Sequence, residues 1–190
     1  SPKRQNPLRI HLNYNYILDM ALNPPICSNW EPLRVQGEHF CLQRMGVEFE
    51  LNIKGMGKLK GKGKVIVTTV RMVLINPEGK ADFKSFDLPL ALTHHEKFEQ
   101  PMFGANYWTG QCRPLNNSLP GEITFKIWFM DGGCQKFVKT IRNNLKIMRE
   151  HSRRPGSNYQ QAIIQEYSAP GYSNQFALYD PSDPSTIYVT

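Results

Sequence analysis

The sequence predicts a mainly β protein, in which a bent sheet sandwich or barrel is capped by one C-terminal α-helix. Between residues 38 and 129, apolar residues recur with the period of two that is typical of β-strands. After Gly132 and Gly133, the apolar period changes to that of a helix. Apolar residues are concentrated between residues 37 and 154, a segment of roughly 115 to 120 residues, which is the size of one domain.

Eight short segments have the character of strands. Residues 47–53 alternate apolar and polar side chains without a break. Only two residues separate the apolar segments 64–68 and 71–75, which predicts a tight hairpin between them. The other predicted strands are residues 39–42, 85–88, 94–98, 107–110 and 124–129.

One amphipathic helix is predicted to follow the strands and to end near Pro155, because proline cannot continue a helix. Its apolar side consists of Cys134, Phe137, Ile141, Leu145 and Met148. Five bases recur at intervals of three and four residues on another side: Lys139, Arg142, Lys146, Arg149 and Arg153. This basic side fits anionic lipid, RNA or an acidic protein, or it is the ordinary solvent face of a capping helix.

The two ends of the chain differ in composition from the middle. Residues 1–36 are predicted to form an extended arm, because Pro24, Pro25 and Pro32 interrupt any helix there. Residues 155–190 contain five tyrosines among Pro, Ser and Asn, and we expect a tail without a fold of its own. The predicted organisation is therefore an arm, a domain over residues 37–154 and a tail.

The chemistry-bearing residues do not suggest an enzyme, a cofactor or a metal site. The four cysteines are widely spaced, which favours reduced thiols in the core or at a partner surface. His94 and His95 are adjacent on a predicted strand, so we expect them to point to opposite faces. No apolar run approaches the ~20 residues that cross a membrane, and we expect an intracellular protein that is soluble or peripheral.

The chain carries a formal net charge of +7, and its positive charge is concentrated in two places: residues 131–154, which include the predicted helix, and the short segment of residues 54–64. The segment holds no acid and five lysines: Lys54, Lys58, Lys60, Lys62 and Lys64. In an extended strand, the last four would point to one side and could bind an anionic membrane surface or nucleic acid. Nucleic acid is less favoured, because the segment has no aromatic residue on which bases could stack. The alternative is a solvated hairpin whose lysines protect a sheet edge.

Residues 100–107 read Gln-Pro-Met-Phe-Gly-Ala-Asn-Tyr and form the most specific motif of the chain. Pro101 restricts one backbone angle and Gly104 permits a conformation that a side chain resists, so a packed corner anchored by Phe103 and Tyr107 is predicted. The motif residues Pro101, Phe103, Gly104 and Asn106 resemble the loop of the GRAM domain in the WW-domain-binding-protein-two family. The Lys- and Gly-rich residues 59–65 and the Thr68-x-x-Arg71 pattern are also similar to that family.

The resemblance covers roughly residues 37–146 and implies a pleckstrin-homology-like fold that acts as an interaction module. That family carries Pro-Pro-x-Tyr motifs, which dock in the grooves of WW domains. Here the nearest match is Pro170, Gly171 and Tyr172 after Ala169, so one proline ring is absent and weaker binding is expected. We therefore expect a non-enzymatic adaptor that binds protein partners. The alternatives are a structural subunit held in a large assembly by its tails and a peripheral phosphoinositide-binding domain.

Overall fold

Seven antiparallel strands form one sheet in the computed structural model of the chain, which describes residues 21–34, 38–80, 82–114, 118–153, 177–180 and 183–189. In chain order the strands are β1 (Phe40–Ile53), β2 (Gly57–Thr68), β3 (Arg71–Ile75), β4 (Ser85–Pro89), β5 (Thr93–Glu99), β6 (Tyr107–Cys112) and β7 (Ile123–Phe129). Their spatial order is β4-β3-β2-β1-β7-β6-β5. Strands β4 and β5 lie at opposite edges of the sheet, yet only the short 3-10 helix Leu90–Leu92 joins them. The sheet must therefore curl until its two edges approach each other.

One helix, α1 (Cys134–Ser152), follows the sheet and agrees with the predicted bounds. All five residues of its predicted apolar side are buried. The Phe137 ring lies 4.9 Å from the ring of Phe129 and 6.3 Å from that of Trp108, measured between centroids. The helix therefore covers the core with its apolar side, as the period of the sequence predicted.

Strand β1 is longer than predicted, because the two segments 39–42 and 47–53 belong to one continuous strand. A register shift between Met45 and Val47 marks a bulge, where Gly46 has a φ of +65°. After the bulge, β1 pairs with β2 on one side and with β7 on the other. The alternation in residues 47–53 therefore separates a core face from an outer face in the middle of the sheet.

The predicted hairpin between β2 and β3 is confirmed, and the Thr68 hydroxyl organises it. This oxygen accepts hydrogen bonds from the amides of Val70 at 3.1 Å and Arg71 at 3.0 Å. The hydroxyl also donates to the Arg71 carbonyl at 3.1 Å. The Thr68-x-x-Arg71 pattern is therefore a local turn with its polar groups satisfied.

Residues 21–23 lie against the edge of the sheet at β4. The Ala21 carbonyl accepts a hydrogen bond from the Asp87 amide at 2.8 Å, and the Asn23 amide donates to the Ser85 carbonyl at 2.9 Å. The Asn23 side-chain oxygen also accepts from the Lys84 amide at 2.7 Å. This part of the predicted arm therefore covers one of the two sheet edges.

Two further strands, β8 (Ala177–Asp180) and β9 (Asp183–Val189), form an antiparallel hairpin near the end of the chain. No strand was predicted in this part of the tail. The hairpin is a separate two-stranded sheet.

Candidate functional site

The lysine segment lies on β2, where the cross-strand register places two glutamates of β1 opposite it. Glu50 pairs with Lys58 at 3.3 Å and with Lys60 at 3.2 Å. The pKa of Glu50 is lowered, mainly by its hydrogen bond with Lys60. Glu48 pairs with Lys62 at 3.6 Å. The charge that looked unopposed in the sequence is therefore partly compensated by the neighbouring strand.

Lys64 does not belong to this exposed patch, so its predicted place there was wrong. The residue is buried, and its Nζ donates a hydrogen bond to the Gln43 side-chain oxygen at 3.2 Å. Burial lowers the pKa of the Lys64 ammonium. The alternation of sides along β2 continues through Gly63, so Lys64 shares the outer face with Ile66, and Ile26 and Trp30 pack against this part of that face. Lys54, by contrast, is exposed in the turn after β1.

The five bases on the predicted side of α1 are all exposed. Two of them contact the far edge of the sheet. Arg149 Nη2 donates to the Thr93 carbonyl at 3.3 Å and to the Glu96 carboxylate at 2.5 Å. The Arg142 guanidinium lies 5.9 Å from the centroid of the Trp108 ring. Of the five bases, Arg149 therefore reaches β5 and Arg142 reaches β6.

The loop at residues 100–106 connects β5 to β6, and its tip is apolar and exposed. Met102 is 91% exposed and Phe103 is 87% exposed, so the expectation that Phe103 anchors a packed corner was wrong. Gly104 has a φ of +97°, a conformation that favours glycine, as expected. The anchor is Asn106, whose carbonyl accepts from the Phe129 amide at 3.0 Å and whose side-chain amide donates to Cys134 Sγ at 3.6 Å. The loop is thus held at its base while its two largest apolar side chains lie in water.

Two further exposed methionines lie at the same end of the sheet. Met45 is 55% exposed and Met130 is 51% exposed, and the Met130 amide donates to the carbonyl of Gly46 at 3.0 Å. We call the four residues Met45, Met102, Phe103 and Met130 the apolar end. Exposed apolar residues that cluster in this way are typical of a protein or membrane contact.

A cleft of about 280 Å³ adjoins the apolar end on the outer face of the sheet. Its apolar wall includes Ala105, Trp128 and Met130, and the Tyr107 ring lies 5.9 Å from that of Trp128. A Cβ at Gly61 would come within 2.3 Å of the Phe49 ring, so glycine leaves the space in which this ring packs. The polar lining of the cleft consists of Glu48, Glu50 and Lys60.

A buried charge cluster is the feature that sequence reasoning missed. Arg71 donates to the Glu38 carboxylate at 2.8 and 3.0 Å, to the Leu33 carbonyl at 2.7 Å and to the Asp87 carboxylate. Burial raises the pKa of Asp87 to about 7, although Arg71 lowers it. Burial also lowers the pKa of Arg71, but the two carboxylates outweigh this and the net pKa is raised. One sign of this cluster was present in the sequence: Arg71 is the first residue of β3, whose other residues are all apolar.

The histidine prediction was also wrong. A register shift between His94 and Lys97 and a φ of +53° at His95 bring the two histidine rings to 4.9 Å between centroids. His94 Nε2 lies 3.1 Å from the Glu122 carboxylate, and His95 Nδ1 lies 2.7 Å from the Gln111 side-chain oxygen. Among the described residues, no group of three or more His, Cys, Asp or Glu side chains is arranged to hold a metal ion.

The four cysteines are free thiols, of which Cys27 is exposed and the other three are buried. Burial raises the pKa of both Cys41 and Cys112 to about 12. Thiols with so high a pKa are poor nucleophiles at neutral pH. In the part of the chain that the structure describes, no helix is long and apolar enough to cross a membrane. The degenerate WW-ligand motif, Pro170, Gly171 and Tyr172, lies outside the described residues.

Comparison with known proteins identifies first the class of fold. No family model matches the chain. The N-terminal PH domain of Vps36 superimposes with a TM-score of 0.52 at 14% sequence identity, over 66% of this chain and 92% of that domain. The fold is therefore pleckstrin-homology-like, and the predicted fold class is confirmed.

Comparison by sequence finds relatives that each match part of the chain. The chain is 39% identical over 90 residues to a stress-induced protein of Schizosaccharomyces pombe. The matched residues make up 47% of this chain and 52% of that protein. It is 32% identical over 113 residues to WW domain-binding protein 2 of Homo sapiens, and the match covers 59% of this chain and 42% of that protein. It is 28% identical over 130 residues to the postacrosomal sheath WW domain-binding protein of Macaca fascicularis, and the match covers 64% of this chain and 51% of that protein. The chain thus spans about half the length of the curated relatives it matches. Two of these relatives are named as WW domain-binding proteins.

Proposed function

We propose that this chain is a GRAM-like adaptor that binds protein partners, and that the apolar end is its binding surface. The module corresponds to residues 37–154, flanked by the arm 1–36 and the tail 155–190. In this proposal, the adjoining cleft beside Trp128 receives a side chain of the partner.

The observation that carries the proposal is the exposure of Met102 and Phe103, at 91% and 87%. Two large apolar side chains in water cost free energy, roughly 1.5–3 kcal/mol each relative to burial. A loop whose base is held by Asn106 presents them without disturbing the core. Methionine and aromatic residues are enriched at the centres of protein interfaces. Two curated relatives are named for binding WW domains, which supports a protein as the partner.

The charges near this end favour a protein over an anionic membrane. Lys60 and Lys62 are paired with Glu50 and Glu48, so the two acids oppose the attraction of an anionic surface. A protein surface can match such mixed charges, whereas a bilayer of one sign cannot. The phosphoinositide reading of the lysine segment therefore loses support.

Site-specific photo-crosslinking in cells tests the proposal. A benzophenone amino acid replaces Phe103 in one variant and Met56 in a matched control. Met56 is 47% exposed in the turn between β1 and β2. This turn lies about 20 Å from the loop, because six residues of extended β1 separate the two ends. We expect discrete protein adducts from position 103, identified by mass spectrometry, that are absent at position 56.

The recovered partner is then titrated with purified variants. Met102→Ser and Phe103→Ser should each weaken binding about tenfold or more, as expected for an apolar hot spot. Met56→Ser should leave the affinity unchanged. The proposal fails if position 103 yields only lipid adducts, if both positions yield the same proteins, or if the serine variants bind as tightly as the wild type.

The WW-ligand role of the tail is a separate part of the proposal. Ala169→Pro restores the missing ring and should strengthen binding to an isolated WW domain about tenfold, the scale of ~1.4 kcal/mol. Tyr172→Ala is the matched negative control. If Ala169→Pro binds no more tightly than the wild type, the expected weakness of this motif is mistaken.

A further inference from the structure

The cleft beside the apolar end has an apolar wall on one side and mostly acidic groups on the other. The apolar wall includes Trp128, and two of the three charged residues in the lining are acids, Glu48 and Glu50, while the third is Lys60. Its volume of about 280 Å³ lies below the ~300–1,000 Å³ of a typical small-molecule site, so one long side chain suits it better than a whole ligand. A side chain with an apolar stem and a cationic end matches both parts of this lining.

The strand register makes Trp128 and Glu48 direct neighbours on the outer face of the sheet. Glu48 of β1 lies opposite Trp128 of β7 on one side and opposite Lys62 of β2 on the other. Tyr107 of β6 lies opposite Trp128 in the same row. Side chains that lie opposite each other in an antiparallel pair have Cβ atoms roughly 5 Å apart. A planar group that lies on the Trp128 ring can therefore also contact the Glu48 carboxylate.

Of the two acids, Glu48 is held more loosely. Its side chain is 44% exposed and pairs at 3.6 Å with that of Lys62, which is 75% exposed. Glu50 is 19% exposed and pairs with Lys58 at 3.3 Å and with Lys60 at 3.2 Å. An exposed pair such as that of Glu48 and Lys62 contributes little free energy, so a better donor can displace the lysine at low cost.

A guanidinium group is a better donor for this place than an ammonium group. It is planar and always charged, and it can donate two parallel hydrogen bonds to one carboxylate while its flat face stacks on an indole ring. Attraction between a cation and an aromatic face already occurs in the adjoining row, where Lys126 Nζ lies 5.5 Å from the centroid of the Tyr107 ring. Arginine is also one of the residues that are enriched at the centres of protein interfaces.

We infer that the cleft binds an arginine side chain of the protein partner. The guanidinium stacks on Trp128 and pairs with the Glu48 carboxylate in place of Lys62, while an apolar surface of the partner covers the apolar end. The inference rests on the proposed function and adds to it the chemistry of the side chain that enters the cleft.

An acidic side chain fits the cleft less well than arginine. Lys60, Lys62 and Lys126 lie close enough to attract it, but it would meet the carboxylates of Glu48 and Glu50 in the lining. The face of the Trp128 ring also carries negative charge density, which repels a carboxylate and attracts a cation. The three lysines oppose an arginine as well, and this opposition gives the sign of one control below.

The test uses the peptide acetyl-Leu-Ser-Arg-Ser-Leu-amide, titrated against the full ¹⁵N-labelled chain by NMR. The chain has three tryptophans, so the indole signal of Trp128 is assigned by its loss in Trp128→Phe. We expect the peptide to shift this signal at millimolar concentration and to show NOEs between its arginine methylenes and the Trp128 ring. The same peptide with citrulline, which has the shape of arginine but no charge, should bind roughly tenfold more weakly.

Matched variants test the role of each charge. Glu48→Gln should weaken binding of the arginine peptide roughly fivefold or more, whereas Glu150→Gln makes the same change on an exposed part of α1 and should change it less than twofold. Lys62→Gln removes the competitor for Glu48 and should strengthen binding about twofold or more. Lys146→Gln, which removes an exposed cation of α1, is its control and should have the smaller effect.

Four results would each overturn the inference: an arginine peptide that leaves the Trp128 signal unmoved, a citrulline peptide that binds equally well, a Glu48→Gln effect no larger than that of Glu150→Gln, or weaker binding by Lys62→Gln, as an anionic guest predicts. If one of these occurs while position 103 still yields specific protein adducts, only the arginine assignment falls. Arginine binding without such adducts would instead count against the apolar end as the partner surface.

Discussion

The buried cluster around Arg71 gives a quantitative prediction about stability. Arg71→Met removes a cation that is hydrogen-bonded to both Glu38 and Asp87, and both carboxylates are buried. The Leu33 carbonyl loses its donor as well. Breaking a buried ion pair by removing one partner costs about 3–5 kcal/mol, because the remaining charge is buried without compensation. We expect a loss in this range at pH 8, a large part of the ~5–15 kcal/mol that stabilises a typical domain.

Urea unfolding, followed by tryptophan fluorescence, measures this loss by linear extrapolation. The exposed pair of Lys62 and Glu48 supplies the control, and Lys62→Met should cost about 1 kcal/mol or less. The triple variant Arg71→Met, Glu38→Leu, Asp87→Leu should recover most of the loss, because it removes all three charges together. A loss for Arg71→Met no larger than that for Lys62→Met would refute the reasoning, and so would a triple variant less stable than the single one.

Three further predictions follow from individual residues. Burial raises the pKa of Asp87 in the folded state to about 7, above its ordinary value of 3.8, so the stability that this group contributes at low pH should be lost as the pH rises through about 7. Asp87→Asn should therefore lose less stability than the wild type between pH 5 and pH 8, and equal losses in urea unfolding would contradict this. Gly61→Ala should cost about 1–3 kcal/mol of unfolding free energy, because its Cβ would displace the Phe49 ring. A measured cost well below about 1 kcal/mol would argue against the close contact. Gly104→Ala has no atom within 4 Å of its Cβ and should cost only the ~1–2 kcal/mol of a left-handed residue. Iodoacetamide at pH 8 should alkylate only the exposed thiol of Cys27 in the native protein, and all four thiols in urea. If mass spectrometry finds a second rapidly modified cysteine in the native protein, the other three thiols are not all buried.

Periodicity predicted the elements well, because each residue reports the side of its own strand or helix. The alternation in residues 47–53 and the apolar row from Cys134 to Met148 identified the buried faces of β1 and α1 correctly. The basic row from Lys139 to Arg153 is exposed for the same reason. Gly104 was expected to adopt a conformation that other residues avoid, and its φ is positive. These are local properties, and local spacing is sufficient to predict them.

The same reasoning failed wherever the answer depended on what lies opposite a residue. Phe103 was predicted to be an anchor because it is large and apolar, but none of the elements that the structure describes covers that side of the loop, and the residue is 87% exposed. Asn106, a small polar residue, fastens the loop instead, because β7 and the start of α1 come within hydrogen-bonding distance of it. The alternation of side chains along a strand predicted that His94 and His95 point to opposite faces, but a bulge in β5 interrupts this alternation.

The sequence by itself determined a mainly β chain with one C-terminal helix, the faces of its regular elements and the positions of its positive charge. The tertiary structure alone decided which of those charges are compensated. Glu48 and Glu50 meet the lysines of β2 through the register of two strands, and Arg71 meets Glu38 and Asp87 from separate parts of the chain. It also decided that one sheet edge is covered by residues 21–23, while Arg149 of α1 reaches β5. The physical reason is that periodicity describes a residue relative to its own element, whereas burial, pairing and the covering of an edge depend on elements brought together from distant parts of the chain.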